Sequence, residues 1–407
     1  MSIFERFKVQ ALLHKNKTAL IIDNFHISYT GLLGLVEENM YLARRIPVGI
    51  PVAAPLDNDL GAVMMLLTFS AVGNALIPVP PNTSERVCKD LTARSFNAPE
   101  NTFLALSTSG TTGPSKAIHL SQAAKLARVM QISEMFDIQA EDVLLVGTPL
   151  HHSLGQRMLF TALTKGCTAV MPPRYSPTLW NAAAVQCSLV VGLPHQLKHL
   201  DVFTAHKLRC VVSSSSPRSG DKQLINDLGD ADIPYYDTYG ASEIAFATYG
   251  LVTEHTLLST VGMPAPGVAR IDIDPDTGEM IVLSITGSGA WFRTGDAGER
   301  LPDGQIRLLG RTNDRIKVGG FTVWPEDVDA AIAAHSTLEC ATFRAADPTL
   351  GEHVGLALTD ASLSLRDVQR NLANVLTAEQ MPRSVKYVAE IPRTATGKIK
   401  RKELADD

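Results

Sequence analysis

The sequence predicts an α/β fold: a large N-terminal domain of layered sheets and helices with a β-rich subdomain, then a small α+β C-terminal domain. Three observations predict it. Ahead of Asp272, short apolar runs alternate with helix-length segments, the order of α/β layers with largely parallel strands. From Asp272 to Leu309 the chain changes to short strands separated by the turn sequences "DPDTG", "TGSG" and "LPDG". After the polar, glycine-bearing "GRTNDRIKVGG", the segment from Arg315 to Asp407 carries helical patterns with strands between them, enough for a small domain of its own.

The elements follow in order. The N-terminal "MSIFERFKVQALLHKNK" lacks the apolar core and cleavage site of a secretory signal. Leu60 to Val79 is uncharged and long enough to span a bilayer, but Gly73-Asn74 interrupts it and Pro78 follows. It reads as a buried helix, a turn and a strand, so no membrane span is expected. A strand "TFLALST", a polar loop and a helix "SQAAKLAR" come next, the helix running from Gln122 to Phe136. "DVLLVGTPL", "CTAVMPP", "CSLVVGLP" and "LRCVVSSSS" are short apolar strands ending at Gly, Pro or Ser. "PEDVDAAIAAH" and "LRDVQRNLANVL" are the C-terminal helices.

Composition narrows the function. At 407 residues, 45% hydrophobic and 19% charged, the chain has an ordinary globular make-up and room for two or three domains. A net charge of −5 argues against a nucleic-acid binder held by phosphate neutralisation. Cys88, Cys167, Cys187, Cys210 and Cys340 lie far apart with no CxxC spacing. Neither a zinc site nor a disulfide framework is indicated, and buried thiols in a reducing cytoplasm are expected.

The stretch "LSTSGTTGPSKAIHLS", Leu106 to Ser121, has the residue types of a phosphate cradle. Gly110 and Gly113 let backbone N–H groups face an anion, Ser109, Thr111 and Thr112 add hydroxyls, and Lys116 adds a cation. A P-loop is excluded, because Ser115 stands where its second glycine belongs and Ala117 where its magnesium-binding hydroxyl belongs. On its own, such a loop reads equally well as a polar turn.

Four more stretches follow in order: "YDTYGASE", "FRTGD", "GRTNDRIKVGG" and "PRTATGKIKRKEL". With the loop they resemble the adenylate-forming superfamily, which holds acyl- and aryl-CoA synthetases, adenylation domains and luciferases. The likeness runs from about Gly73 to Leu404. It implies an N-terminal AMP-binding domain over residues 1–312 and a mobile C-terminal lid over 313–407, hinged near Asn313. It also implies a reaction in which a carboxylate and Mg-ATP give an acyl-adenylate, whose acyl group then passes to a pantetheine thiol. Catalysis of that kind is mainly positioning and charge neutralisation.

The resemblance carries roles onto residues. Thr108 to Lys116, including Thr108, Ser109, Gly110, Thr112 and Gly113, would hold the β- and γ-phosphates. Glu243 and Thr111 would hold Mg²⁺. Tyr239 would pack near adenine, and Asp237, where the family often has asparagine, would accept from the adenine amino group. Asp296 would take the ribose hydroxyls, Arg311 would reach ribose and phosphates, and Lys398 would enter with the lid at the reacting carboxylate. Gly319 and Gly320 would let pantetheine pass close to backbone. His152, Gly155, Gln156, Ser214, Ser215, Gly240 and Ala241 would border the acyl pocket. "TGD" alone is also a common turn, and "TATGKIKRKEL" alone a solvated basic tail.

Departures from the family pattern matter. Asn313 replaces the usual Asp or Lys of the hinge. Little chain separates "NALIPVPP" from the phosphate loop, which trims the N-terminal part. Ser214 and Ser215 stand where relatives carry glycines. No acidic residue occurs from Gly147 to Lys165, where amino-acid-activating relatives place an aspartate. An unpaired buried ammonium there would lose on the order of a hundredfold or more in affinity. The expected substrate is therefore an aryl or medium-sized acyl acid without an α-amino group. Gln156 or Arg157 would bind a polar substituent or face solvent. The adjacent His151-His152 and the spaced His195 and His199 are too few for a metal site. CoA is the expected acceptor, with a phosphopantetheine carrier protein as the alternative. A catalytically degenerate acyl-AMP-binding protein is the alternative of another class, against which Lys116, Glu243, Asp296, Arg311 and Lys398 all speak.

Overall fold

The computed structural model describes residues 1–46, 51–94, 98–107, 117–214, 222–257, 259–286, 289–336, 338–347, 349, 351–394 and 398–405. The uncharged segment near the N-terminus folds as its punctuation indicates. Asp59 caps a helix over Leu60–Val72 by accepting the Ala62 N–H at 2.7 Å. Gly73, at φ 79°, ends it, and a buried strand Leu76–Val79 follows. Among the described residues no helix is long and apolar enough to cross a membrane.

That strand belongs to a small sheet with Val52–Pro55, β1 (Leu104–Ser107) and β2 (Ala117–Leu120). β1 runs parallel to Leu76–Val79, and β2 runs antiparallel to β1. The sequence reading missed β2 and ran the phosphate loop straight into a helix. "AIHL" is too short to carry a strand period. The helix α1 (Gln122–Met135) begins only after β2, where the Ser121 Oγ accepts the Ala124 N–H at 3.1 Å.

The central sheet has thirteen strands among the described residues. Its parallel part comprises Thr18–Ile22, Thr168–Met171, Val143–Leu145, Leu189–Gly192, β3 (Cys210–Ser214) and β4 (Tyr235–Ala241). Thr168–Met171, Leu189–Gly192 and β3 are buried at every position, as strands covered on both faces must be. α2 (Ser153–Lys165) packs against this layer and against α1. Beyond β4 the sheet turns antiparallel, through β5 (Ala245–Val252), Thr260–Pro264, β7 (Ile306–Arg311), β6 (Trp291–Arg300), Glu279–Ser284 and Val268–Ile273. The β-rich region therefore continues the main sheet and starts at β5, well before Asp272.

A second sheet contains β8 (Ile316–Val318), β9 (Phe321–Val323), Cys340–Asp347, Gly351–Leu358 and Ser384–Tyr387. With α3 (Pro325–His335) and α4 (Leu365–Leu372) it encloses its own core of Ile316, Val328, Ile332, Leu356 and Val368. α4 stops at Leu372 rather than Leu376, because the N–H groups of Val375 and Leu376 both turn back to the Leu372 carbonyl, at 2.9 and 3.0 Å. This unit touches the main sheet along β7. Arg307 reaches Asp327 of α3 at 2.8 Å. Gly310 passes so close to Glu326 that a Cβ there would fall 2.2 Å from a carboxylate oxygen.

Candidate active site

Three strands meet at one carboxylate, and a fourth segment brings Lys398 into its field. Asp296 on β6 lies opposite Arg311 on β7 in the strand register. Arg311 Nε reaches Asp296 Oδ1 at 2.9 Å, and the Tyr239 hydroxyl of β4 donates to Oδ2 at 2.7 Å. Burial first, and then the Asp296 charge, hold the Tyr239 hydroxyl well above the usual phenol range. Lys398 comes from the C-terminal segment, where Arg393 and Ile399 pair and the Thr394 Oγ1 accepts the Lys398 N–H at 3.1 Å. Its ammonium lies in the field of both Arg311 and Asp296. Desolvation first, and Arg311 second, push it below the usual lysine range, while Asp296 opposes them.

The β4–β5 hairpin presents the second part. Ala241 pairs with Ala245, leaving Ser242, Glu243 and Ile244 as a three-residue tip. The turn is tight: Ala245 takes a left-handed φ of 63°, and a Cβ on Gly240 would lie 1.9 Å from the Ala245 carbonyl oxygen. Glu243 is half-buried, and its carboxylate forms no ion pair among the described residues. Asp237 is buried on β4, where its carboxylate accepts the Thr238 N–H at 3.0 Å. Ser214, at the end of β3, lies opposite Thr238 in register.

His152 is the N-cap residue of α2 and makes no side-chain cap. Its ring lies 4.2 Å from that of His151, and burial followed by that neighbour brings its pKa down to about 4. It is a neutral ring at pH 7. Gly155 packs the first turn of α2 on the chain before it, since a Cβ would meet the Thr148 carbonyl oxygen at 2.3 Å. Of the two expectations for Gln156, facing solvent needs correction: it is fully buried, and its amide donates to the Leu150 carbonyl at 2.9 Å and accepts from Lys125 Nζ at 2.7 Å. Gly319 and Gly320 form the two-residue turn between β8 and β9, with φ of 56° and 94°, on an exposed tip. Thr108, Ser109, Gly110, Thr111, Thr112, Gly113, Lys116 and Ser215 lie outside the described residues.

Sequence reasoning missed Arg128. This residue of α1 is fully buried and donates to three carbonyls: Nε to Thr286 at 2.9 Å, Nη1 to Ser242 at 2.8 Å and Nη2 to Glu243 at 2.9 Å. It fixes the hairpin tip that carries Glu243. The signal lies in the helix pattern, where Lys125 and Arg128 share the i, i+3, i+4, i+7 stripe of Val129 and Ile132. Among the described residues no three metal-ligating side chains cluster.

The sequence profile of the AMP-binding enzyme family matches residues 80–288, a little over half of the chain. The chain belongs to the AMP-binding enzyme family. A probable CoA ligase of Humulus lupulus is 26% identical to this AMP-binding enzyme over 88% of this chain and 76% of its own length. A 2-succinylbenzoate–CoA ligase of Lactococcus lactis is also 26% identical, over 75% and 71%. Among solved structures, ATP-bound MatB of Rhodopseudomonas palustris superposes with a TM-score of 0.86 at 20% identity, covering 99% of this chain and 98% of the other. The AMP complex of O-succinylbenzoate CoA synthetase from Bacillus subtilis reaches 0.86 at 18% identity, covering 100% and 98%. The mixed α/β architecture is thus that of these two solved structures.

Proposed function

We propose that this AMP-binding enzyme uses Mg-ATP to turn a carboxylic acid into an acyl-adenylate and then transfers the acyl group to the thiol of CoA. The convergence of Tyr239, Asp296, Arg311 and Lys398 carries the reading. In the first step a carboxylate oxygen attacks the α-phosphorus and pyrophosphate leaves. In the second the thiol sulfur attacks the acyl carbon, AMP leaves and the thiol proton passes to solvent.

Asp296 has two oxygens with about four acceptor sites, of which Tyr239 and Arg311 fill part, so ribose hydroxyls have room to donate. Arg311 faces ribose and phosphate from β7. Lys398 neutralises the charge gathering between the attacking carboxylate and the α-phosphate, the type of contribution that preorganised charge makes best. Asp237 accepts from the adenine amino group, and Tyr239 lies along the base. Glu243 suits Mg²⁺, a cation that takes hard oxygen donors, because its carboxylate is held at the hairpin tip and forms no salt bridge among the described residues. Bound Mg²⁺ supplies charge neutralisation at the phosphates, shared with Thr111, and the loop from Thr108 to Lys116 cradles them. His152, neutral and partly buried, borders the acyl group with Gly155, Ser214, Ser215, Gly240 and Ala241.

The body is residues 1–312 and the lid residues 313–407, turning near Asn313. Gly319 and Gly320 lie along the path of the pantetheine arm. The names of relatives such as 2-succinylbenzoate–CoA ligase support CoA as acceptor. The free state of Cys88, Cys167, Cys187, Cys210 and Cys340 supports a reducing, cytoplasmic setting. The absence of acidic residues from Gly147 to Lys165 supports an acid without an α-amino group.

Acid-dependent ATP–pyrophosphate exchange without a thiol tests the proposal across aryl, fatty, dicarboxylic and amino acids. Exchange with one class, followed by AMP release on adding CoA, is the expected result. Silence across the panel in a folded protein that still binds ATP would favour a degenerate acyl-AMP-binding protein.

A further inference from the structure

Three basic side chains lie inside the molecule on the facing helices α1 and α2. Lys125 is 1% exposed, Arg128 0% and Arg157 5%. None of the three forms an ion pair among the described residues. Two of them are satisfied by neutral acceptors. Lys125 donates to Gln156, and Arg128 donates to the carbonyls of Thr286, Ser242 and Glu243.

Arg157 differs. Its guanidinium carbon lies over the Phe246 ring, 4.2 Å from the ring centre. Its Nε and Nη1 are buried and have no hydrogen-bond partner among the described residues. A guanidinium taken out of water with donors unfilled is among the least favourable arrangements a protein adopts. Burial, and then the charge of Arg128, bring its pKa down to about 9, which still leaves it a cation at pH 7. A buried cation of that kind is short of one thing, an anion with planar acceptor oxygens.

The position is informative. Arg157 is two residues past Gly155 and just over one helical turn past His152, both candidates for the acyl pocket. Phe246 lies three residues past Glu243 and pairs with Gly240 across the hairpin. The unfilled N–H groups thus belong to a buried side chain that joins α2 to the start of β5, close in sequence to residues proposed for the acyl pocket.

We propose that the activated acid carries a second carboxylate, and that Arg157 is the specificity residue that receives it while the other carboxylate reacts. This rests on the adenylation reading above and deepens it. A monocarboxylic acid of the same length would put methyl or aryl hydrogens against the unfilled donors. Sites built to hydrogen-bond a group discriminate strongly against analogues that lack it.

The test is ATP–pyrophosphate exchange on length-matched pairs: butyrate against succinate, hexanoate against adipate, and benzoate against isophthalate. The expected result is a dicarboxylate preferred over its partner by about a hundredfold or more in kcat/KM for at least one pair. Arg157→Met should bring that ratio close to one, and Arg157→Lys should restore part of it. If Arg157→Met does not fold, the wild-type ratio decides alone. Exchange in which every pair favours the monocarboxylate would overturn the inference and leave adenylation standing. A dicarboxylate preference that survives in Arg157→Met would also overturn it. Silence with every acid would overturn the adenylation reading and this inference with it.

Discussion

Asp296 is engaged by Tyr239 and Arg311, which together hold its carboxylate in place. Arg128 does the same for Glu243 from behind, through the backbone rather than the side chain. Arg128→Met leaves three carbonyls without their donor and should cost several kcal/mol in urea unfolding, at about 1–3 kcal/mol for each buried acceptor left unsatisfied. The Mg²⁺ concentration for half-maximal exchange should also rise, which loss of stability alone would not cause. Lys398 gives a pH test. Its lowered pKa means that its positive charge is lost at lower pH than that of an ordinary lysine as pH rises. Adenylation should therefore fall on an alkaline limb that begins below the usual lysine range. Lys398→Arg, which keeps its charge, should carry that limb upward in the pH–rate profile of exchange. Asp296, Arg311 and Lys398 were legible because each stands in a motif with fixed neighbours. Lys125 and Arg128 were not, because basic residues on a helix normally face water, and only the stripe they share with Val129 and Ile132 gives them away; Arg157 was expected to bind a polar substituent or face solvent, and the structure buries it.

At the level of elements, turns carry the site. The β4–β5 tip is tight enough that Gly240 has no room for a methyl group. Gly240→Ala forces backbone against backbone at Ala245 and should cost on the order of 3 kcal/mol, as severe overpacking does. Exchange activity should fall with it, because Glu243 rides on the displaced tip; a variant as stable and active as the wild type would refute this account of the hairpin. The apolar runs ending in Gly, Pro or Ser were readable as parallel strands because burial on both faces leaves no polar positions to confuse the pattern. β2 was not, since four residues followed at once by a helix cap show no period. Nor did the sequence show that the β-rich strands join the main sheet, because the pairing of Thr248 with Pro264 is a contact between two strands rather than a local signal.

For the molecule as a whole, the placement of the C-terminal unit matters most. Lys398 stands in the field of Asp296 and Arg311, while the Gly319–Gly320 tip is exposed, and the Arg307–Asp327 contact lies along the seam. On the proposed reading, Lys398 serves the first half-reaction and the Gly319–Gly320 tip the second, which would require two orientations of this unit. The division of labour can be measured directly in Lys398→Ala by following adenylate formation and thioester formation from preformed acyl-AMP separately in single turnovers. The account predicts that the first step slows by about a hundredfold or more, the scale for removing a key charge stabiliser, while the second is nearly unchanged. An equal loss in both steps would contradict it.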